Sequence, residues 1–85
     1  MAYQLGSDVT NIGRSGENHI RIDDDLVSGA HARVRSEASD ARAFFLYDLA
    51  STNGTRINGD PIVRHQLQHD DIVQFGGTTL VFKQA

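Results

Sequence analysis

Turn-forming residues interrupt this chain every few positions, and no window of ten or more residues carries helical periodicity. Between the turns lie short runs of β-branched and aromatic residues, the pattern of strands. Tyr3 to Leu5 and Val9 to Ile12 come first. His19 to Ile22 alternates, with Ile20 and Ile22 on one face. His31 to Ser36 alternates again and turns Ala32 and Val34 inward. Arg42 to Leu49 puts Phe44 and Leu46 on one face and Phe45, Tyr47 and Leu49 on the other, which suits a central strand. Thr55 to Ile57 sits between Asn53-Gly54 and Asn58-Gly59. The second pair reads as a type I′ turn, since Asn and Gly tolerate positive φ. Pro61 suits an edge, where its missing N–H costs little. Asp71 to Phe75 and Thr78 to Lys83 form a last hairpin across Gly76-Gly77. The expected fold is all-β, an antiparallel sandwich of about nine or more short strands.

At 85 residues the chain holds one small domain, residues 1-85, with no repeat or linker. Hydrophobic residues make up 39% of it, enough for a packed core. It has no cysteine, which removes disulfides, thiolate metal sites and a Cys nucleophile. No apolar run is long enough to span a bilayer as a helix. The start lacks the pattern of a signal peptide, so an intracellular location is expected, cytoplasmic or, in a eukaryote, nuclear. The net charge of −3 argues against a general binder of nucleic acid or anionic membrane. It leaves room for local anion binding. Seven of the eight basic residues are Arg, whose planar fork matches phosphate oxygens.

Three polar loops bounded by strands draw attention: Gly13-Arg14, Ser28-Gly29-Ala30-His31, and Ser51-Thr52-Asn53-Gly54-Thr55. Loops at one end of a sandwich can converge into one surface. Convergence here would join the Arg14 cation to the Ser28 and Thr52 hydroxyls, the Asn53 amide and loop backbone N–H groups, in the manner of an anion nest. Such a set suits one phosphate on a peptide. It is poor in the carboxylate and His clusters that hold metals, and no cofactor is expected. Asp23-Asp24-Asp25 lacks the loop and closing Glu of a calcium site and reads as a solvated turn.

Taken in order and spacing, Gly13-Arg14, Ser28-x-x-His31, Ser51-Thr52-Asn53-Gly54-Thr55 and Asn58-Gly59 resemble the forkhead-associated (FHA) family. Flanking segments fit too: Asn18-x-Ile20-x-Ile22-Asp23, His31-Ala32-x-Val34, Tyr47-x-Leu49 and Leu67-x-x-x-Asp71-x-Val73-x-Phe75-Gly76. The resemblance runs from about Tyr3 to Phe82. It implies a phosphothreonine-binding interaction module that is not an enzyme. Its partner would be a phosphothreonine protein made by a Ser/Thr kinase, with neither nucleic acid nor membrane as ligand. It implies that Arg14, Ser28 and Thr52 contact phosphate and that Asn53 holds the peptide main chain. His31 shapes the pocket, while Gly13 and Gly54 permit its turns. At the position after the pocket serine the family often has a polar residue that helps hold phosphate or peptide; here it is Gly29. The resemblance also implies a domain cut from a larger protein.

Two other readings compete. The first is an interaction module that has lost phosphate binding and pairs through a sheet face or edge. Gly29 favours it; the presence of Arg14, Ser28 and Thr52 together argues against it. The second is a hydrolase built on Ser28, His31 and Asp48. It lacks a Gly-x-Ser-x-Gly elbow, and the chain has little room for a substrate cavity.

Overall fold

The computed structural model describes Tyr3, Leu5 and residues 9–37 and 40–84, and the side chains of 37 and 40–42 lie outside that description. Of the first expected strand, Tyr3 to Leu5, Gln4 lies outside the described residues, and Tyr3 and Leu5 belong to no strand. Nine strands follow among the described residues: β1 Val9–Gly13, β2 Ile20–Arg21, β3 Ala32–Glu37, β4 Asp40–Asp48, β5 Thr55–Ile57, β6 Asp60–Ile62, β7 Arg64–Gln66, β8 Ile72–Phe75 and β9 Thr78–Val81. They form two sheets, one ordered β2-β1-β3-β4-β7 and the other β6-β5-β8-β9. No helix among the described residues is long and apolar enough to cross a membrane.

Alternation decides which face each strand buries. Ala32, Val34 and Leu46 turn inward from the larger sheet, and Ile57, Val73 and Phe75 meet them from the smaller one. Ile12, Ile20, Ile22, Val27, Leu67 and Phe82 complete the core. Asn58 and Gly59 have φ of 51° and 89°, as a type I′ turn requires. Pro61 lies in β6, an edge strand.

One pairing departs from the antiparallel expectation: β1 and β2 run parallel, Ile12 opposite Ile20 and Gly13 opposite Arg21. Parallel neighbours usually need a crossover of a dozen residues or more. Here the contact is two residues long, so the loop of residues 14–19 only has to step back by one position.

The remaining pairs set the geometry of one end of the sandwich. β1 and β4 both run antiparallel to β3. The C-terminal ends of β1 and β4 therefore flank the N-terminal end of β3. β8 ends there as well, because Phe75 pairs with Thr55 at the start of β5. Four loops thus share one rim.

Candidate phosphate-binding rim

His31 is completely buried beneath this rim. Its Nδ1 accepts from the Ser28 amide at 3.0 Å, and its Nε2 lies 2.8 Å from the Gly54 carbonyl. An imidazole that accepts at Nδ1 carries its proton on Nε2, which then donates to Gly54. The ring also stands edge-on to Phe75, with centroids 5.6 Å apart. One side chain therefore links the loop before β3, the loop before β5 and the opposite sheet.

Asp48, at the end of β4, organises the third loop. Ala50 turns the chain with φ 53°. Ser51 then donates to Asp48 through its amide at 3.1 Å and its hydroxyl at 2.5 Å, and Thr55 Oγ1 adds a bond at 2.8 Å. Ser51 Oγ accepts in turn from the Gly54 amide at 3.0 Å. Burial alone raises this carboxyl, but the Ser51 and Thr55 bonds and the His31 ring outweigh it, and its pKa falls below the usual carboxylate range. Gly54 has φ 80°, a conformation few side chains adopt.

The first loop is locked to the second by backbone. Arg14 and Ser15 donate to the carbonyls of Ser28 and Gly29 at 3.0 and 3.2 Å. Asn18 Nδ2 bonds the carbonyls of Ser15 and Gly29 at 2.8 and 2.7 Å. A Cβ on Gly13 would stand 2.2 Å from the Gly29 oxygen, so only glycine allows this approach.

Above these braces lie the groups that can meet a ligand. Ser28 Oγ accepts from the Thr52 amide at 3.0 Å, which leaves its own proton to donate elsewhere. Thr52 is exposed, and among the described residues its hydroxyl has no partner. Arg14 is half exposed and reaches Asp25 at 3.3 Å. The Asn53 amide donates to the Leu26 carbonyl at 2.8 Å, leaving its oxygen and its second N–H for other partners. A side chain at Gly29 would meet only Ser15 Cβ, at 3.9 Å, so the missing polar side chain is not enforced by packing. Arg14, Ser28, Thr52, Asn53 and Gly29 thus stand on one rim over Gly13, His31 and Gly54.

Two expectations need correction. The backbone amides of Arg14, Ser15, Ser28, Thr52 and Gly54 are all bonded within the protein. Those five amides are spent on the loops themselves, so any backbone donors left to a ligand belong to other loop positions such as Gly29 and Asn53. The Asp23-Asp24-Asp25 run is also more than a solvated turn. Asp24 accepts from the amides of Leu26 and Gly77 and from the Thr78 hydroxyl at 2.8–3.0 Å. The Leu26 amide, the Thr78 hydroxyl and the Gly77 amide hold its carboxyl below the usual range. This ties the second loop to the β8–β9 turn, where a Cβ on Gly76 would lie 2.8–2.9 Å from Leu26. Both bonds to the β8–β9 turn reach more than fifty residues along the chain, so no local pattern announced them.

The hydrolase arrangement is not assembled. His31 Nδ1 faces the amide of Ser28 and not its hydroxyl, and Asp48 is held by Ser51 and Thr55.

The fold and rim define an interaction module with a hydroxyl-lined end that carries one arginine, Arg14. The model of the FHA domain family matches residues 10–76. The chain belongs to that family, whose members bind phosphothreonine peptides. It is 36% identical over 80 residues to the glycogen accumulation regulator GarA of Mycobacterium tuberculosis, covering 94% of this chain and 48% of GarA. It is 33% identical over 81 residues to the FHA domain-containing protein FhaA of the same species, covering 95% of this chain and 15% of FhaA. The chain thus spans about half or less of these curated relatives. A structure solved to analyse phosphothreonine-dependent FHA domain interactions superposes with a TM-score of 0.91. It is 31% identical and covers 98% of this chain and 83% of its own.

Proposed function

We propose that Arg14, Ser28 and Thr52 hold the phosphate of a phosphothreonine in a partner protein. Asn53 and the open backbone at Gly29 meet the flanking main chain, and Gly13, His31 and Gly54 fix the shape. The observation that carries this reading is the bond from the Thr52 amide to Ser28 Oγ at 3.0 Å. It clasps two loops together and leaves the serine proton to donate, beside an Arg14 whose own amide is fixed to the same loop. His31 does not face the Ser28 hydroxyl, and the Ser51 and Thr55 hydroxyls that meet Asp48 are spent on bracing the loop, which supports a module that binds without catalysis. Its ligand is the product of a Ser/Thr kinase. Because phosphorylation draws on cytosolic ATP, the site of action is the cytoplasm. Residues 1-85 act as a single FHA domain of a larger signalling protein, in keeping with the greater length of GarA and FhaA.

Calorimetric titration with one peptide in phosphothreonine, phosphoserine and Glu forms tests this. A phosphate carries nearly two charges and three acceptor oxygens, which a carboxylate cannot match. The Glu peptide should bind at least ~10-fold more weakly. Phosphoserine should lose only a few-fold, since one buried methyl is worth about 0.8 kcal/mol. Arg14→Ala should weaken the phosphothreonine peptide at least ~10-fold, because charged hydrogen bonds contribute roughly 1.5–3 kcal/mol each. Its melting temperature should not change. Equal affinity for the Glu form, or full affinity in folded Arg14→Ala, would overturn the assignment.

A further inference from the structure

The outer face of the larger sheet carries chemistry that the rim does not use. Strand register places Asn11, Arg33, Tyr47 and Arg64 in one row across β1, β3, β4 and β7. Val9, Arg35, Phe45 and Gln66 form a second row. The residues between them along the strands, such as Thr10, Val34 and Leu46, are buried on the other side. These eight side chains therefore share the solvent face. The Arg64 guanidinium lies 4.4 Å from the Phe45 ring centroid and 5.8 Å from that of Tyr47. Arg33 is steadied by a 3.0 Å bond from its Nε to Asn11 Oδ1.

Among the described residues, clustering of cations without ion pairs marks this face, whereas the exposed Arg56 on the other sheet stands singly and bonds the Gly59 carbonyl. Arg14 pairs with Asp25, Arg21 with Asp23 and Lys83 with Asp70. Among the described residues no carboxylate pairs with Arg33, Arg35 or Arg64. Neither row contains an acidic residue. In a chain of net charge −3, three guanidiniums without a counter-charge make a local positive field.

A groove joins this face to the rim. It encloses about 390 Å³ and is lined by Ser15, Asn18 and Gly29 at the rim and by Asn11 and Arg33 on the sheet. Glu17 also borders it, in the loop after β1, so favourable contact with an anion begins beyond that point, at Arg33. Arg33 lies five positions beyond Ser28, through the loop before β3 and the first two residues of that strand, a span of at most about 18 Å.

We propose that this face is a second docking surface, taken by an acidic segment of the same phosphorylated partner, with Arg33, Arg35 and Arg64 meeting its carboxylates. The inference rests on the phosphothreonine reading of the rim. Once the phosphate is held, a tethered acidic segment meets the face at high local concentration, and contacts that are weak singly add to affinity. Single-stranded nucleic acid also uses basic and aromatic faces. Three cations on an acidic protein favour a short acidic peptide over a polyanion that draws on many phosphate contacts.

Low-salt calorimetry with three peptides tests the proposal: a short phosphothreonine peptide, and the same peptide with four Glu beginning five residues before or five residues after the phosphothreonine. One extended peptide should bind about 5–10-fold tighter than the short one. The gain should vanish in the triple variant Arg33→Gln, Arg35→Gln, Arg64→Gln, and short-peptide affinity should stay unchanged. Arg35 is exposed, so Arg35→Gln alone keeps the fold and should lose part of the gain. Equal binding of all three peptides to the wild-type protein, or a gain that survives the substitutions, overturns the second surface. Tighter binding of oligo-dT than of the extended peptide overturns its occupant. A short peptide that binds Arg14→Ala as well as wild type overturns the reading of the rim instead.

Discussion

His31 and Arg14 serve the same loops under opposite conditions. The imidazole is enclosed, and both its nitrogens are bonded to backbone. The guanidinium is half exposed, and among the described residues it pairs with a carboxylate that is 98% exposed. The same division runs through the whole rim. Asp48, Ser51 and Thr55 spend their polar atoms on one another, whereas Ser28 and Thr52 keep hydroxyl protons to give away. A polar group with every partner inside the protein fixes geometry. One with spare capacity and access to water can exchange that water for a ligand. In the proposed binding mode, rigidity below removes the cost of ordering the loops, and the groups above supply the contacts.

The comparison breaks most readily at His31. His31→Ala strips the Ser28 amide and the Gly54 carbonyl of their partners and removes a ring packed on Phe75. An unpaired buried polar group costs about 1–3 kcal/mol, so the total should be roughly 2–4 kcal/mol. That is a large share of a domain's margin of about 5–15 kcal/mol. At about 4–8 °C per kcal/mol, the melting temperature should drop by roughly 8–30 °C, and peptide affinity should fall with it. Arg14→Ala, by contrast, should touch affinity alone. If His31→Ala melts like wild type and only binding suffers, the enclosed residue is a ligand contact and the two tiers are not distinct.

A smaller effect should appear on acidification. Asp48 titrates below its ordinary value because the folded loop bonds its ionised form. Its contribution is therefore complete above about pH 4, where the unfolded carboxyl titrates, and is lost as pH falls through the lower folded value. Asp24 and Asp71 are shifted the same way and share this acid limb. Denaturant midpoints measured from about pH 5 down to about pH 2 should decline in wild type. In Asp48→Asn the decline should be shallower from a lower starting point. An unchanged slope would mean that Asp48 does not anchor the loop of residues 51–55.

Much of this architecture was legible in the sequence because it is local. Alternation turned Ala32, Val34, Phe44 and Leu46 inward, and positive φ at Asn58 and Gly59 follows from their chemistry. The order of the three loop motifs named the rim residues before any contact was known. What stayed hidden is tertiary. Asp24 finds its partners Gly77 and Thr78 across the molecule, and Asp48 stood out in the sequence only as a candidate member of a hydrolase triad, whereas it anchors Ser51 and Thr55. The parallel bridge between β1 and β2 has no period of its own, since two residues are too few to show one. The engagement of the loop amides was equally invisible, because which of them remain free depends on angstrom-scale closure between loops far apart in sequence.

Asp25 offers the finest test of the division, because it belongs to neither tier cleanly. Its carboxylate is almost fully exposed and 3.3 Å from the Arg14 guanidinium. An exposed pair of this kind contributes little to stability, so Asp25→Asn should leave the melting temperature unchanged. Binding is another matter. A phosphate arriving at Arg14 must displace the carboxylate and then sit beside its negative charge. Removing that charge should tighten a phosphothreonine peptide by about 2–5-fold at low ionic strength, in line with the ~0.2–1 kcal/mol typical of exposed pairs. At about 0.5 M salt the Debye length shrinks to a few ångströms, and the advantage should largely disappear. Titrating wild type and Asp25→Asn at both salt concentrations separates the possibilities. A gain that persists in high salt would point to a change in loop shape. Weaker binding in Asp25→Asn would mean that the carboxylate positions Arg14 for its ligand, so that even the exposed tier is braced.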